Sequence, residues 1–364
     1  MSSTLAAIGV LALLIVVHEL GHFLAARLQG IYANRFSIGF GPILLKYQGP
    51  ETEYAIRAFP LGGFVGFPED DPESDITPDD PNLLQNRPIL DRAIVISAGV
   101  IANLIFAYFV LATHVGLVGV PSLNYEPGVT IPKVMGETTA AAQAGLQSGD
   151  LVLGADGLKF GANQESVEQL VDKISDSPNQ PIQFLIQRDQ RQFSLEITPE
   201  LSSDGKGRIG VQLAPNATVT YRRPHNPVEI FTLAGTEFQQ MSGQILQGFQ
   251  LLLTDFKGTA PQVASPVKIV AWGANIAETD SGNLFSFAAL ISINLAIINI
   301  LPLPALDGGQ LAFLLIEGLR GKPLPSQWQE NIMQTGLIML LGLGIFLIIR
   351  DTTQLPWIQQ FFQQ

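Results

Sequence analysis

Apolar residues in this chain gather into a few long runs separated by ordinary polar sequence. Four runs approach or exceed the roughly 20 apolar residues that a membrane-crossing helix needs. They cover about 4–26, 93–116, 284–301 with an irregular continuation to about 318, and 332–349. The third run is interrupted by Pro302 and Pro304 and followed by Asp307-Gly308-Gly309. A broken helix at membrane depth survives only where protein or a water-filled cavity satisfies the freed backbone, so residues 299–309 are predicted to line a cavity. Residues 31–67 alternate in the manner of a strand, as in Tyr54-Ala55-Ile56-Arg57-Ala58-Phe59. They are punctuated by Gly39, Gly41, Gly62, Gly63 and Gly66, which predicts small hairpins lying against the membrane. From about 121 to 283 the composition is that of a soluble region. Its first part, to about 215, reads strand, short helix, strands, a helix over Gln164 to Ser175, then strands at Ile182–Gln187 and Gln192–Ile197. An amphipathic pattern follows from Val228 to Phe256. Its glutamines at 239, 240, 244, 247 and 250 argue against a fifth span and for a helix on the membrane surface or across the mouth of the membrane domain.

Composition agrees with an integral membrane protein carrying a soluble part. Of 364 residues 47% are hydrophobic and 14% charged, against a usual charged share of roughly 25%. The net charge of −12 is partly local, because residues 69–80 hold seven acids and no base. Such a run is usually a solvated loop, with a mobile lid over the cytosolic mouth as the alternative. The acidic balance excludes nucleic acid as an expected partner. With no cysteine, disulfides and thiolate ligands are excluded, so any zinc must be held by histidine and carboxylate. The first apolar run lacks a basic flank and is expected to be retained. Arg27, Arg35, Lys46 and Arg57 follow the first run, and Arg320 and Lys322 lie between the third and fourth. These place both loops in the cytosol and both termini outside, with Arg350 as a weak vote the other way. The first and third spans then run in the same direction.

That orientation matters for chemistry. His18-Glu19-Leu20-Gly21-His22 lies in the first run. Residues four apart share a helix face, so His18 and His22 can offer two imidazole nitrogens to one metal, with Glu19 beside them as a base for a metal-bound water. The chain has only four histidines, and ionisable groups at membrane depth are expensive unless paired, hydrated or bound to metal. A catalytic zinc usually takes three protein ligands. Asp307 is the best third candidate, at matching depth nearer the cytosolic side. Its competing use is as a helix N-cap after the proline break. Glu317 is a second candidate but lies near Arg320. His114 and His225 have no ligand-like spacing and are read as non-catalytic.

Together, His18-Glu19-Leu20-Gly21-His22 and Asn299-Ile300-Leu301-Pro302-Leu303-Pro304-Ala305-Leu306-Asp307-Gly308 resemble the site-2 protease family of intramembrane zinc metalloproteases. The second motif matches that family's Asn-x-x-Pro-x-Pro-x-Leu-Asp-Gly at every specified position. Gly99-Val100-Ile101-Ala102-Asn103 resembles its Gly-x-x-x-Asn element, with Val100 where many members have proline. Ser37-Ile38-Gly39-Phe40-Gly41-Pro42 resembles the start of its membrane-associated β element. The resemblance implies that His18, His22 and Asp307 bind Zn2+, and that Glu19 activates the zinc-bound water and passes its proton to the leaving amine. It also implies that Asn299 and Asn103 hold substrate backbone or the oxyanion. Helix–helix hydrogen bonding is the equally open alternative for the two asparagines.

The segment from Ala140 through Ala144-Gly145-Leu146-Gln147-Ser148-Gly149-Asp150 to Gly157 resembles the core of a bacterial-type PDZ domain. Such a domain either captures peptide tails by strand addition or blocks bulky ectodomains, and the family resemblance favours the filter. The expected architecture is a multi-pass α-helical membrane protein with about four spans, a small membrane-associated β element and an inserted α+β PDZ domain. Its parts are residues 1–118 and 284–350 as the two halves of the protease core, 121–215 as the PDZ domain, 224–283 as an amphipathic helical region, and 351–364 as a short tail. It would sit in a bacterial inner or plasma membrane, or an equivalent internal membrane, with the active site towards the cytosol and the PDZ domain opposite. The implied function is cleavage of transmembrane segments of single-pass, membrane-tethered proteins, such as anti-sigma factors or remnant signal peptides. A non-catalytic PDZ scaffold would predict a damaged metal site, and a transporter would predict internal repeats; neither is visible in the sequence.

Overall fold

A computed structural model of the protein describes residues 2–71, 74–202, 205–280 and 282–353. Part of the acidic run (72–73) and most of the C-terminal tail (354–364) therefore lie outside the described residues. In chain order the elements are α1 (Ser2–Leu28), β1 (Arg35–Gln48), β2 (Glu53–Gly66), α2 (Ile89–Leu117), β3 (Val120–Val134), α3 (Ala140–Gln143), β4 (Leu151–Ala155), β5 (Leu158–Lys159), α4 (Glu165–Ser175), β6 (Ile182–Arg188), β7 (Arg191–Ile197), β8 (Glu200–Leu201), β9 (Gly207–Arg208), β10 (Val211–Arg222), α5 (Pro227–Thr254), α6 (Phe256–Thr259), α7 (Pro266–Thr279), α8 (Asn283–Ile300), α9 (Asp307–Arg320) and α10 (Ser326–Thr353). The chain divides into two compact units, Met1–Gly119 with Arg223–Gln364, and Val120–Arg222.

Among the described residues, α1, α2, α8 and α10, all in the first unit, are the four helices long and apolar enough to cross a membrane. The interrupted third span resolves into α8, a non-helical turn and α9. Small residues set the spacing of α1 and α2. A Cβ at Gly21 would stand 2.5 Å from the Ala98 carbonyl oxygen and 2.8 Å from the Ala102 Cβ. The amphipathic segment forms α5, begun by Asn226, whose side chain accepts from the Glu229 N–H. Its Ile230, Ala234, Phe238, Met241 and Ile245 share one face and pack with Ala107, Leu111, Ala289 and Ile293. Ile230 reaches Gly116, and Tyr108 Oη donates to the Phe231 carbonyl at 3.1 Å. This helix thus runs along α2 instead of lying across a surface or an opening. The apolar stripe, spaced three and four, finds a matching stripe on a span, while the glutamines stay on the exposed face.

The β element is more interwoven than simple hairpins. Arg35–Ile38 pairs in parallel with Glu53–Ile56 and antiparallel with Gly63–Gly66, while Ile43–Gln48 runs antiparallel to Glu53–Arg57. Two bent strands therefore make segments in the order 43–48, 53–57, 35–38, 63–66. The bends fall at Gly39 (φ +87) and Gly62 (φ +124), where a side chain would be strained. Segment 63–66 is an outer edge. Of the described acidic residues that follow, three have partners, since Arg35 pairs with Asp71, the Gln85 N–H donates to Glu69 and Asp80 caps the Asn82 N–H, while Asp75 and Asp79 are exposed.

The second unit is an α+β module with an antiparallel sheet in the order β10-β3-β4-β6-β7 and β5 paired to β4. Its last strand runs to Arg222, beyond the expected boundary at 215, because Ala217–Arg222 continues the ladder with Val120–Tyr125. Val129, Ile131, Val152, Leu170, Phe184, Ile186 and Ile197 form its core. Within it Asp150 is 1% exposed and forms an ion pair with Arg188, which also donates to the Gly145 carbonyl at 2.8 Å. Burial pushes the Asp150 pKa up, but the Arg188 hydrogen bonds, the Gln147 N–H and the Arg188 charge outweigh it and hold the carboxyl below its ordinary value of 3.8. A depressed folded-state pKa contributes stability that is present above the unfolded value and lost as pH falls through the folded one. Asp150→Asn is expected to cost this unit about 3 kcal/mol at neutral pH, with the deficit vanishing in strong acid. Hydrogen exchange of β4 and β6 in the whole protein reads this, and equal protection in both proteins at pH 7 would show that the pair contributes nothing.

Candidate metal centre

His18 and His22 fall one turn apart on α1, and Asp307 opens α9. Asp307 is the first helical residue. The N-cap position is Leu306, which has no side-chain cap, so capping is not what Asp307 does here. Its Oδ2 lies 3.3 Å from His18 Nε2 and 3.5 Å from His22 Nε2, and the two Nε2 atoms are 3.3 Å apart. Ligands held at about 2.0–2.1 Å by a tetrahedral ion stand about 3.3–3.4 Å from one another. Three nitrogen and oxygen donors in a near-equilateral triangle of that edge, none of them sulfur, fit zinc. The side chains are 11, 13 and 17% exposed, so the triangle is largely shielded from solvent, and Asp307 Oδ2 itself is buried.

The turn before α9 is what delivers the carboxylate. Leu303 N–H donates to the Leu301 carbonyl at 2.6 Å, and the Gly309 N–H returns to Leu306 at 3.0 Å. Gly308 and Gly309 permit it, because a Cβ at either would overlap the Leu301 or the Leu303 carbonyl oxygen. Ala305 sits at φ +69, and its N–H donates to Met333 Sδ of α10 at 3.3 Å.

The other sequence candidates divide clearly. Glu19 follows His18 on α1, and its Cγ lies 2.9 Å from where a Gly63 Cβ would be, so the outer edge of the β element passes directly beside it. Asn299 Nδ2 is 3.3 Å from His18 Nε2. Asn103 is fully buried, with Nδ2 3.3 Å from His18 Nδ1. Glu317 is engaged elsewhere, in a two-pronged ion pair with Arg92 of α2. His114 is buried against Ser286, and the His225 N–H donates to Glu229. Sequence reasoning missed Val95, whose backbone carbonyl lies 2.8 Å from His22 Nδ1. A carbonyl carries no residue signature, and only a register argument between α1 and α2 could have found it.

The model of peptidase family M50 matches residues 6–343. The chain belongs to this family, the site-2 proteases. It is 61% identical to a Nostoc protein that carries the name zinc metalloprotease, over 99% of this chain and 100% of that protein. It is 49% identical to the membrane metalloprotease ARASP of Arabidopsis thaliana chloroplasts, over 98% of this chain and 80% of that one. Identity to the regulator of sigma-W protease RasP of Bacillus subtilis is 28%, over 97% and 99%. The PDZ domain of an SdrC-like protein from Listeria innocua aligns with 24% of this chain and 92% of its own, at 22% identity and a TM-score of 0.21. As an M50 member the chain is a membrane zinc metalloendopeptidase, and the triangle of donors is its candidate zinc site. Asp307→Asn is expected to drop bound zinc far below one ion per chain, and Glu317→Gln to leave it in place. Metal analysis of both purified proteins checks this; zinc lost only from the Glu317 variant would reassign the third ligand.

Proposed function

We propose that this protease cleaves transmembrane segments of membrane-tethered proteins, with Glu19 as its general base. The carrying observation is the donor triangle enclosed by apolar spans, with Glu19 on the same helix and a strand edge beside it. When bound, zinc polarises the scissile carbonyl and acidifies water. Glu19 takes the proton from the attacking water and passes it to the leaving amine. Asn299, whose Nδ2 lies beside His18 Nε2, would donate to the developing oxyanion.

A spanning helix hides its peptide bonds in internal hydrogen bonds, so the substrate must be held extended. Pairing with segment 63–66 would do so and would bring the substrate backbone next to Glu19. The name of RasP ties that relative to sigma-W, and we extend the substrate class to membrane-tethered regulators such as anti-sigma factors, or to remnant signal peptides. Positive-inside charge supports a site towards the cytosol, with residues 120–222 on the other side of the membrane.

The decisive assay follows cleavage of a model single-span substrate by the wild type and Glu19→Gln, with zinc measured in both. Loss of the base is expected to slow cleavage by about 10²–10⁴-fold with zinc retained; undiminished cleavage would remove Glu19 from the mechanism. In the same assay, proline is placed at Phe64 and at Val65 in turn. Only one of two successive N–H groups faces outward from an edge strand, so one of these changes should slow turnover while zinc stays bound. Full turnover by both would exclude strand pairing.

A further inference from the structure

The metal-facing residues come from α1 and α9, yet the atoms that touch the back of both imidazoles come from α2. His22 Nδ1 lies 2.8 Å from the Val95 carbonyl oxygen, and His18 Nδ1 lies 3.3 Å from the Asn103 carboxamide. Val95, Gly99 and Asn103 are spaced four and four, so they share one face of α2. That face meets His22 and His18 in antiparallel order. Between the two contacts, a Cβ at Gly99 would overlap His22 Nε2 and stand 2.7 Å from its Cε1 and 2.8 Å from His18 Cε1.

We infer that α2 forms the outer shell of the zinc site: Val95 and Asn103 orient the imidazoles through Nδ1, and Gly99 keeps the space between them open. Each step is elementary. A helix carbonyl is normally screened by the side chain four residues on, which leans back over it. Gly99 has none, so the Val95 carbonyl can accept a second hydrogen bond from His22 Nδ1–H while its helical bond persists. That bond fixes the tautomer and leaves Nε2 bare for metal. His18 needs the same treatment, and its neighbour is a carboxamide. With Nε2 turned to the ion, Nδ1 carries the hydrogen and must donate, so Asn103 presents its oxygen to the ring. As placed, that Oδ1 is buried without a partner. A half-turn of the amide brings it onto the His18 Nδ1–H, an exchange of two atoms of nearly equal size. Asn103 is 0% exposed, so it touches the ligand and not the substrate. It is a positioning residue, which separates its role from that of Asn299. The inference rests on zinc binding by His18, His22 and Asp307.

The test uses the full chain in lipid nanodiscs, titrated with Zn2+ against a chromophoric chelator and with Co2+ for its visible spectrum. Asn103→Leu, alike in branching and heavy-atom count but without an acceptor, is expected to weaken zinc about 10–100-fold, to shift the cobalt bands, and to leave the substrate KM unchanged in the zinc-saturated protein. Asn103→Asp, which keeps an oxygen for His18, is expected to bind zinc at least as tightly as wild type with a shifted cobalt spectrum. Gly99→Ala is expected to abolish tight binding of both metals. Wild-type affinity and spectrum in the Asn103 variants, with an altered KM, would overturn the inference and return Asn103 to the substrate. Should Asn103→Leu fail to fold, the Asn103→Asp spectrum decides alone: shifted bands support the outer-shell role and unshifted bands reject it. Absence of metal binding by the wild type would instead overturn the zinc site itself.

Discussion

A carboxylate and two imidazoles enclosed by apolar helices must find every partner within the bundle. Leaving one charge uncompensated there costs several kcal/mol, a large share of a domain's net stability. The packing of the first unit can be traced to that constraint. Asp307 is turned back towards α1 by a loop that tolerates no Cβ at Gly308 or Gly309. The helices α1 and α2 approach through Gly21, Ala98 and Ala102, close enough for α2 to reach the rear of both imidazoles. A divalent ion between the three donors would neutralise the carboxylate and take up both Nε2 lone pairs, so the site and the fold would support one another.

The same economy appears around the site. Arg92 and Glu317 join α2 to α9 by a two-pronged ion pair, which fixes the far end of the helix whose first residue is Asp307. Met333 and Gly336 of α10 meet the proline turn: the sulfur accepts the Ala305 N–H, and Gly336 lies so close to Pro304 that a Cβ there would sit 2.8 Å from its carbonyl oxygen. The fourth span, otherwise largely exposed, thus touches the proline turn, and its other end is tied to the start of α7, where the Ser265 N–H donates to Asp351. The strand edge at 63–66 lies against Glu19 because Gly63 has no side chain to hold it off.

Much of the candidate site's layout was legible in the sequence. The His-Glu-x-x-His spacing puts His18 and His22 on one helix face with Glu19 beside them, and depth and the proline break point to Asp307, which the structure brings to the two imidazoles. Other features depend on contacts that no local pattern encodes. Glu317 is a lesser ligand candidate by sequence, near Arg320, and its pairing with Arg92, distant in sequence, is a tertiary contact. The alternating residues of 31–67 announced strands, but that Arg35–Ile38 would lie between Glu53–Ile56 and Gly63–Gly66 depends on bends at glycines whose direction the sequence does not state. Val228–Phe256 showed its apolar stripe, yet a stripe says only that something covers it; that α2 and α8 do so is a tertiary fact. The Val95 carbonyl was invisible because every residue has one.

Zinc K-edge absorption of the whole protein in nanodiscs tests the central claim most directly, since it reads the ion's neighbours without relying on turnover. The account predicts one zinc per chain in a four-coordinate shell of nitrogen and oxygen at about 2.0–2.1 Å, with outer-shell scattering from two imidazole rings. A shell of oxygens alone, or one without two imidazoles, would contradict it.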